Sequence, residues 1–268
     1  MIILKIGGSV ITKKDSKTPL LDSENLSRIA REIADSSYDK LIIVHGAGSF
    51  GHPSAKKYAV GEKIQNEDDF ERKKLGFCIT QNSVKNLNAQ VCEYLRREGI
   101  LAVSIQPSSF VLTKNKRITH ANLDLIKKYL DSGFVPVLYG DAVLDMDEDI
   151  RMAILSGDQI IEYLGTNLRP DKVILGSDVD GIYNKNPKKY PNAELMHVVT
   201  SGEDLESVEG SQTTDVTGGM RGKLRELLSL AEMGIESEIL NAGRNNLIKR
   251  AINGEKGIGT LIRSKNRE

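Results

Sequence analysis

The chain has 268 residues, 39% hydrophobic and 28% charged, enough apolar content to close a large core and too much for intrinsic disorder. Lys plus Arg number 37 and Asp plus Glu 37, so the net charge is 37 − 37 = 0, and no basic excess exists to grip a nucleic-acid backbone. The start, MIILKIGGSV, lacks a basic n-region and a cleavage site, and no later apolar run approaches membrane-spanning length, so a cytoplasmic protein is expected.

In chain order, the first expected strand is Ile2 to Ile6. Helix LDSENLSRIAREIA follows, with Ser23 expected as its cap and Leu26, Ile29, Ala30 and Ile33 on one face. Lys40 to His45 reads as a buried strand. A long helix from about Asp69 to Arg97 carries Leu75, Ile79, Leu87, Val91 and Leu95 at helical spacing. Cys78 and Cys92 fall within it, 92 − 78 = 14 apart, which fits neither a metal knuckle nor a disulfide framework and makes both expected core residues.

Strands Ile100 to Ile105 and Phe134 to Tyr139 are expected next, separated by a small hairpin (FVLT, RIT) and a helix after His120. AVLDMDEDIRMAIL reads as a second hairpin with an acidic tip. Helix DQIIEYL, strand KVILGS, a loop from Asn184 to Pro191, helix RGKLRELLSLAEM, strand ESEIL and a final short helix and strand complete the chain. Strands alternating with helices predict an α/β fold, a three-layer αβα sandwich with a mainly parallel central sheet. Any division into lobes near Gly165 to Pro170 would be a crease within one unit.

Four glycine-bearing loops fall at strand or helix ends, where backbone amides can meet an anion. LKIGGSV offers Lys5, Gly7, Gly8 and Ser9, and an ammonium in an apolar strand needs an anionic partner. HGAGSFGH, from His45 to His52, matches GxGxxG through Gly46, Gly48 and Gly51. A dinucleotide site is disfavoured there, because the next helix would begin at His52 and Pro53 and no ribose-binding carboxylate closes a second strand. A protein-kinase loop is disfavoured because HRD and DFG are absent from the sequence, and a Walker loop because His52 and Pro53 replace its Lys and Ser/Thr. His52 is read either as a cap or core residue or as a donor to a phosphoryl oxygen. The third loop, Ser177 to Pro187, carries Asp178, Asp180, Gly181 and Tyr183; the fourth, Asp215 to Lys223, carries Thr217, Gly218, Gly219 and Lys223.

KIGGS, the second glycine loop, SGD at Ser156 to Asp158, SDVDGIY and GGMRGK together resemble the amino acid kinase superfamily over nearly the whole chain. HGAGSFGH, with YGDAV at Tyr139 to Val143 and ILSGD, resembles the archaeal-type branch whose acceptor is isopentenyl phosphate. That resemblance implies transfer of the γ-phosphoryl group of ATP to the acceptor's phosphate, with Mg²⁺ bridging the ATP phosphates and few direct protein ligands. It implies that Lys5 and Lys223 neutralise the transferring group, Asp158 orients them, Gly7, Gly8 and Ser9 contact it, and Lys14 is a further phosphate lysine. Gly46, Ala47, Gly51, His52, Gly140 and Gly157 would hold the acceptor, and Asp178, Tyr183 and Gly219, with Ala47, the nucleotide. The acceptor would sit in the part up to about residue 167 and the nucleotide beyond it. A homodimer is implied as well.

Phosphoryl transfer asks mostly for positioning and charge neutralisation, and an anionic acceptor needs no strong base, which suits loops of lysines, amides and a histidine. Alternatives left open are a kinase of another small anionic acceptor, a fosfomycin-like phosphonate or a carboxylate, and a non-catalytic nucleotide or anion sensor of the same fold. For an isoprenoid tail, Leu75, Cys78 and Ile79 are the expected wall of an apolar pocket.

Overall fold

A computed structural model describes residues 1–13, 16, 18–185, 187, 190–201 and 217–265, with 217–221 described as backbone. Lys14 and Asp215 therefore lie outside the described residues.

The strands β1 (Ile2–Ile6), β2 (Leu41–His45), β3 (Ala102–Ser104), β6 (Val135–Tyr139), β9 (Lys172–Ser177), β12 (Val198–Val199), β13 (Glu236–Asn241) and β14 (Thr260–Ile262) form one eight-stranded sheet. Its order is β12-β14-β13-β9-β1-β2-β6-β3, and every pairing is parallel except β13 with β14. Short hairpins flank it: β4 (Val111–Lys114) with β5 (Arg117–Ala121), β7 (Asp141–Leu144) with β8 (Met152–Leu155), and β10 (Ile182–Tyr183) with β11 (Leu195–Met196). Helices α1 (Gly8–Ile11), α2 (Ser23–Ala34), α3 (Gly48–Lys57), α4 (Glu67–Arg97), α5 (Asp124–Asp131), α6 (Gly157–Leu168), α7 (Thr217–Glu232) and α8 (Leu247–Ile252) complete the described elements.

Alternation along the strands builds a three-layer sandwich. Leu4, Ile6, Leu41 and Ile43 pack on the face covered by α2, α4 and α8. Ile3, Ile42 and Val44 pack on the face covered by α5, α6 and α7. Lys5 follows the same alternation, so its side chain leaves β1 on the α6 face. The strand after the expected crease, β9, pairs directly with β1, and the sheet runs past that point unbroken.

Several local expectations need correction. Asp22 caps α2 by accepting from the Asn25 N–H (3.2 Å), and Ser23 is the first helical residue. Helix α3 begins at Gly48, inside the second glycine loop, with His52 one turn along and Pro53 within the helix. Cys92 is buried as expected, but Cys78 is exposed, as are Leu75 and Ile79, because the buried stripe of α4 runs through Gly76, Thr80, Val84, Leu87, Val91 and Leu95. Among the described residues no helix is long and apolar enough to cross a membrane.

Candidate active site

A cavity of about 460 Å³ opens at the carboxyl ends of β1, β2 and β9, where a parallel α/β sheet places its ligands. The described lining includes Lys5, Gly7, Gly8, Ser9, Gly46, Ala47, His52, Gly140, Gly157, Asp158 and Lys223, so residues from five separate stretches of chain converge. Two longer helices, α3 and α6, begin at this cavity, and the first amides of a helix have no partner within it.

The first two loops meet backbone to backbone. A Cβ on Gly8 would stand 2.4 Å from the Gly48 nitrogen, and one on Gly46 would stand 2.6 Å from the Gly8 nitrogen. Gly48 itself has φ +50°, and a Cβ there would meet the Thr12 hydroxyl at 2.2 Å. These glycines exist so that two strand ends can touch. Thr12 fastens the contact: its hydroxyl donates to the Gly8 carbonyl (2.7 Å) and accepts from the Ser49 N–H (3.1 Å).

Lys5 is 5% exposed and forms an ion pair with Asp158 on the first turn of α6. Burial holds its pKa below the usual lysine value, the charge of Lys223 lowers it further, and Asp158 opposes both. Ser156 caps α6 by accepting from the Gln159 N–H (3.2 Å), and Gly157 lies beside the Lys5 side chain, where a Cβ would stand 3.4 Å from Lys5 Cε. His52 is exposed at the cavity rim. Partial desolvation and the charge of Lys223 lower its pKa from the usual histidine value.

Beneath the second loop lies a buried cluster that the sequence did not announce. His45 is fully buried and stacked on Tyr139, with ring centroids 5.5 Å apart. Its Nε2 lies 3.1 Å from Asn88 Nδ2 and its Nδ1 3.1 Å from the Gly46 carbonyl. Because an amide nitrogen only donates, the network assigns the proton to Nδ1, which donates to Gly46. Desolvation lowers the His45 pKa to about 4.

Of the remaining expected residues, Gly51, Asp178 and Tyr183 are not among the described lining. Gly51 is buried in α3 against Ala47 and Val84. Asp178 and Tyr183 follow Ser177, which does line the cavity; beside them Asp180 accepts from Asn241 (2.8 Å), Arg244 (2.6 Å) and Tyr183 (3.3 Å). Gly219 is in the first turn of α7. Leu75, Cys78 and Ile79 do not line the cavity. Thr12, Ser49, His45 and Asn88 were missed, because hydroxyl back-bonding and a buried imidazole depend on contacts between distant segments that no local spacing encodes.

Fold and site together define a protein built to hold phosphate groups between glycine loops and lysines, and the chain belongs to the amino acid kinase family, whose profile matches residues 1–241. Within that family it is similar along its length to an isopentenyl phosphate kinase of Methanothermobacter thermautotrophicus, 56% identical over 99% of this chain and 100% of the relative. A solved structure described as isopentenyl phosphate kinase matches with TM-score 0.88 and 51% identity, covering 98% of this chain and 99% of its own. The product complex of the Thermoplasma acidophilum (T. acidophilum) isopentenyl phosphate kinase matches with TM-score 0.77 and 28% identity, over 98% and 100%.

Proposed function

We propose that the protein transfers the γ-phosphoryl group of ATP to the phosphate of isopentenyl phosphate, giving isopentenyl diphosphate and ADP. The observation that carries this reading is the convergence of Lys5, Lys223, Asp158 and His52 on one cavity floored by two touching glycine loops. The similarity to isopentenyl phosphate kinases supplies the acceptor's identity.

An oxygen of the acceptor phosphate attacks the γ-phosphorus as the bond to the β-phosphate oxygen breaks, and ADP leaves with that oxygen. The acceptor is already ionised, so no base is needed. Lys5 and Lys223 neutralise charge on the transferring group, and Asp158 holds Lys5 protonated and aimed. His52 donates one hydrogen bond to the acceptor phosphate, helped by the amides around Gly46 and Ala47. Asp178, Tyr183 and Gly219 serve the nucleotide, which lies over the part of the chain beyond about residue 167. Lys14 adds a further phosphate contact.

Asp158 is the one carboxylate among the described lining residues, and it is engaged with Lys5; no cluster of three His, Cys, Asp or Glu suited to a metal occurs among the described residues. That donor set fits Mg²⁺ carried on the ATP phosphates with few direct protein ligands, where the ion would supply charge neutralisation. The family resemblance also supports a homodimer, to be checked by sedimentation velocity, and a cytoplasmic location.

The deciding experiment offers the purified protein ATP with isopentenyl phosphate and, separately, with fosfomycin and small carboxylates. Isopentenyl diphosphate formation is expected to exceed every other product; phosphorylation of a phosphonate or carboxylate in preference overturns the reading.

A further inference from the structure

Resting on that reading, we propose that Arg117 is a positioning residue: it clamps α6 and α7 together through Glu162 and Glu226, one turn after Asp158 and Lys223, and so holds Lys223 against Lys5 and Asp158. Asp158 and Lys223 come from two different helices, and no described hydrogen bond joins these two side chains directly. Each has a glutamate about one turn behind it, Glu162 four residues after Asp158 and Glu226 three after Lys223, so each glutamate shares a face with its catalytic neighbour.

Arg117 lies between those glutamates. Its guanidinium meets Glu226 with both arms, Nη1 to Oε1 at 2.5 Å and Nη2 to Oε2 at 3.0 Å, and Nη2 also reaches Glu162 Oε2 at 3.2 Å. A two-armed fork fixes direction as well as distance, which a single point charge does not. The two carboxylates are well covered, at 16% and 21% side-chain exposure, and they face each other. Burial and the Glu226 charge push the Glu162 carboxyl up, the mark of a repulsion that Arg117 offsets. Further along, α6 and α7 close directly, with a Cβ on Gly165 landing 2.7 Å from Leu230. The clamp therefore acts between that closure and the residues of the two helices that carry the chemistry.

Arg117 is itself held in place. It follows a tight turn whose two residues, Asn115 and Lys116, have φ of +50° and +65°. Asp145, from the β7–β8 hairpin, accepts from both their amides at 3.1 and 2.8 Å and from the Thr113 hydroxyl at 2.7 Å. Gln159, next to Asp158, donates to the Lys116 carbonyl at 2.8 Å. The hairpin tip is thus tied to α6 twice and to α7 once, and of the two hairpins only Ile154 and Leu155 of β8 are among the described lining of the cavity.

The test is a pair of double-mutant cycles on the full-length protein. Arg117→Ala is expected to lower kcat roughly tenfold or more while moving the KM for isopentenyl phosphate less than twofold. In a Lys223→Ala background the same change is expected to cost less than twofold, because the group it positions is gone; in a His52→Gln background it is expected to cost its full factor. Equal cost in both backgrounds, or no cost in the parent, overturns the clamp. If Arg117→Ala does not fold, Glu226→Gln, which keeps shape and loses charge, runs the same cycles with the same expectation. Affinity for a non-hydrolysable ATP analogue, measured by calorimetry across the cycle, reads the clamp without turnover, so loss of the proposed acceptor would not obscure the result.

Discussion

His52 can serve its proposed role with a single proton. One ring N–H suffices to donate to the acceptor phosphate, and glutamine can imitate that donor where alanine cannot. His52→Gln is expected to retain about tenfold more kcat/KM than His52→Ala; steady-state kinetics in which the two are equally impaired would remove hydrogen-bond donation from the mechanism. His45 poses a different question at the same scale. Its folded pKa is about 4 against 6.5 when unfolded, so the folded state binds fewer protons between those values. Stability contributed by neutral His45 is present above about pH 6.5 and is lost as pH falls towards 4, by about 3 kcal/mol in full. Urea unfolding of the parent and of His45→Gln from pH 7 to pH 4 should show the parent losing more stability than the variant. Parallel acid limbs would mean that His45 is not the group being charged.

Helix and strand ends carry the site, and the glycines there are steric requirements. Gly8→Ala places a methyl 2.4 Å from a backbone nitrogen that no side-chain rotation can move, so β1 and β2 must separate at their carboxyl ends. Activity is expected to fall at least a hundredfold, with Thr12 and Ser49 losing their contact. Gly222→Ala, in the helix that carries Lys223, meets no described atom within 4 Å and is expected to raise stability by up to about 1 kcal/mol, since alanine is the better helix former. Thermal unfolding and kinetics on both variants check the contrast; a fully active Gly8→Ala enzyme would mean the loops need not touch. This explains what was legible beforehand. Strands β1, β2, β6 and β9 were visible because both their faces are buried and their runs are continuously apolar, and the loops were visible because glycine clusters there. The start of α3 was misread because GxGxxG followed by Pro53 looks like a loop, although the chain turns helical at Gly48. Leu75 and Ile79 were misread because an apolar spacing of four fits an exposed ridge of α4 as well as a buried one; Gly76, packed against Tyr58, marks the buried side.

Across the whole molecule, chemistry and stability occupy opposite ends of the same sheet. The cavity lies at the carboxyl end of β9, beside Ser177, whereas Lys172 begins that strand five residues earlier, about 16 Å away at the usual strand rise. There Lys172 donates to Glu238 of β13 at 3.0 Å and to the Glu255 carbonyl at 3.3 Å, while Glu238, fully buried, accepts from the Ile258 N–H at 2.9 Å. The pair joins two central strands to the chain leading into β14. Lys172→Met leaves a buried carboxylate without its cation and is expected to destabilise by about 3–5 kcal/mol, while Lys172→Met combined with Glu238→Met removes both charges and is expected to recover much of that loss. Because neither residue touches the cavity, kcat and both KM values, measured well below the unfolding temperature, are expected to stay within about twofold of the parent for both variants. Denaturant unfolding and steady-state kinetics on the same preparations decide it. A large drop in kcat at full folding would show that strain at the amino end of β9 reaches Lys5 across the β1–β9 pairing, and the separation of the two ends would fail.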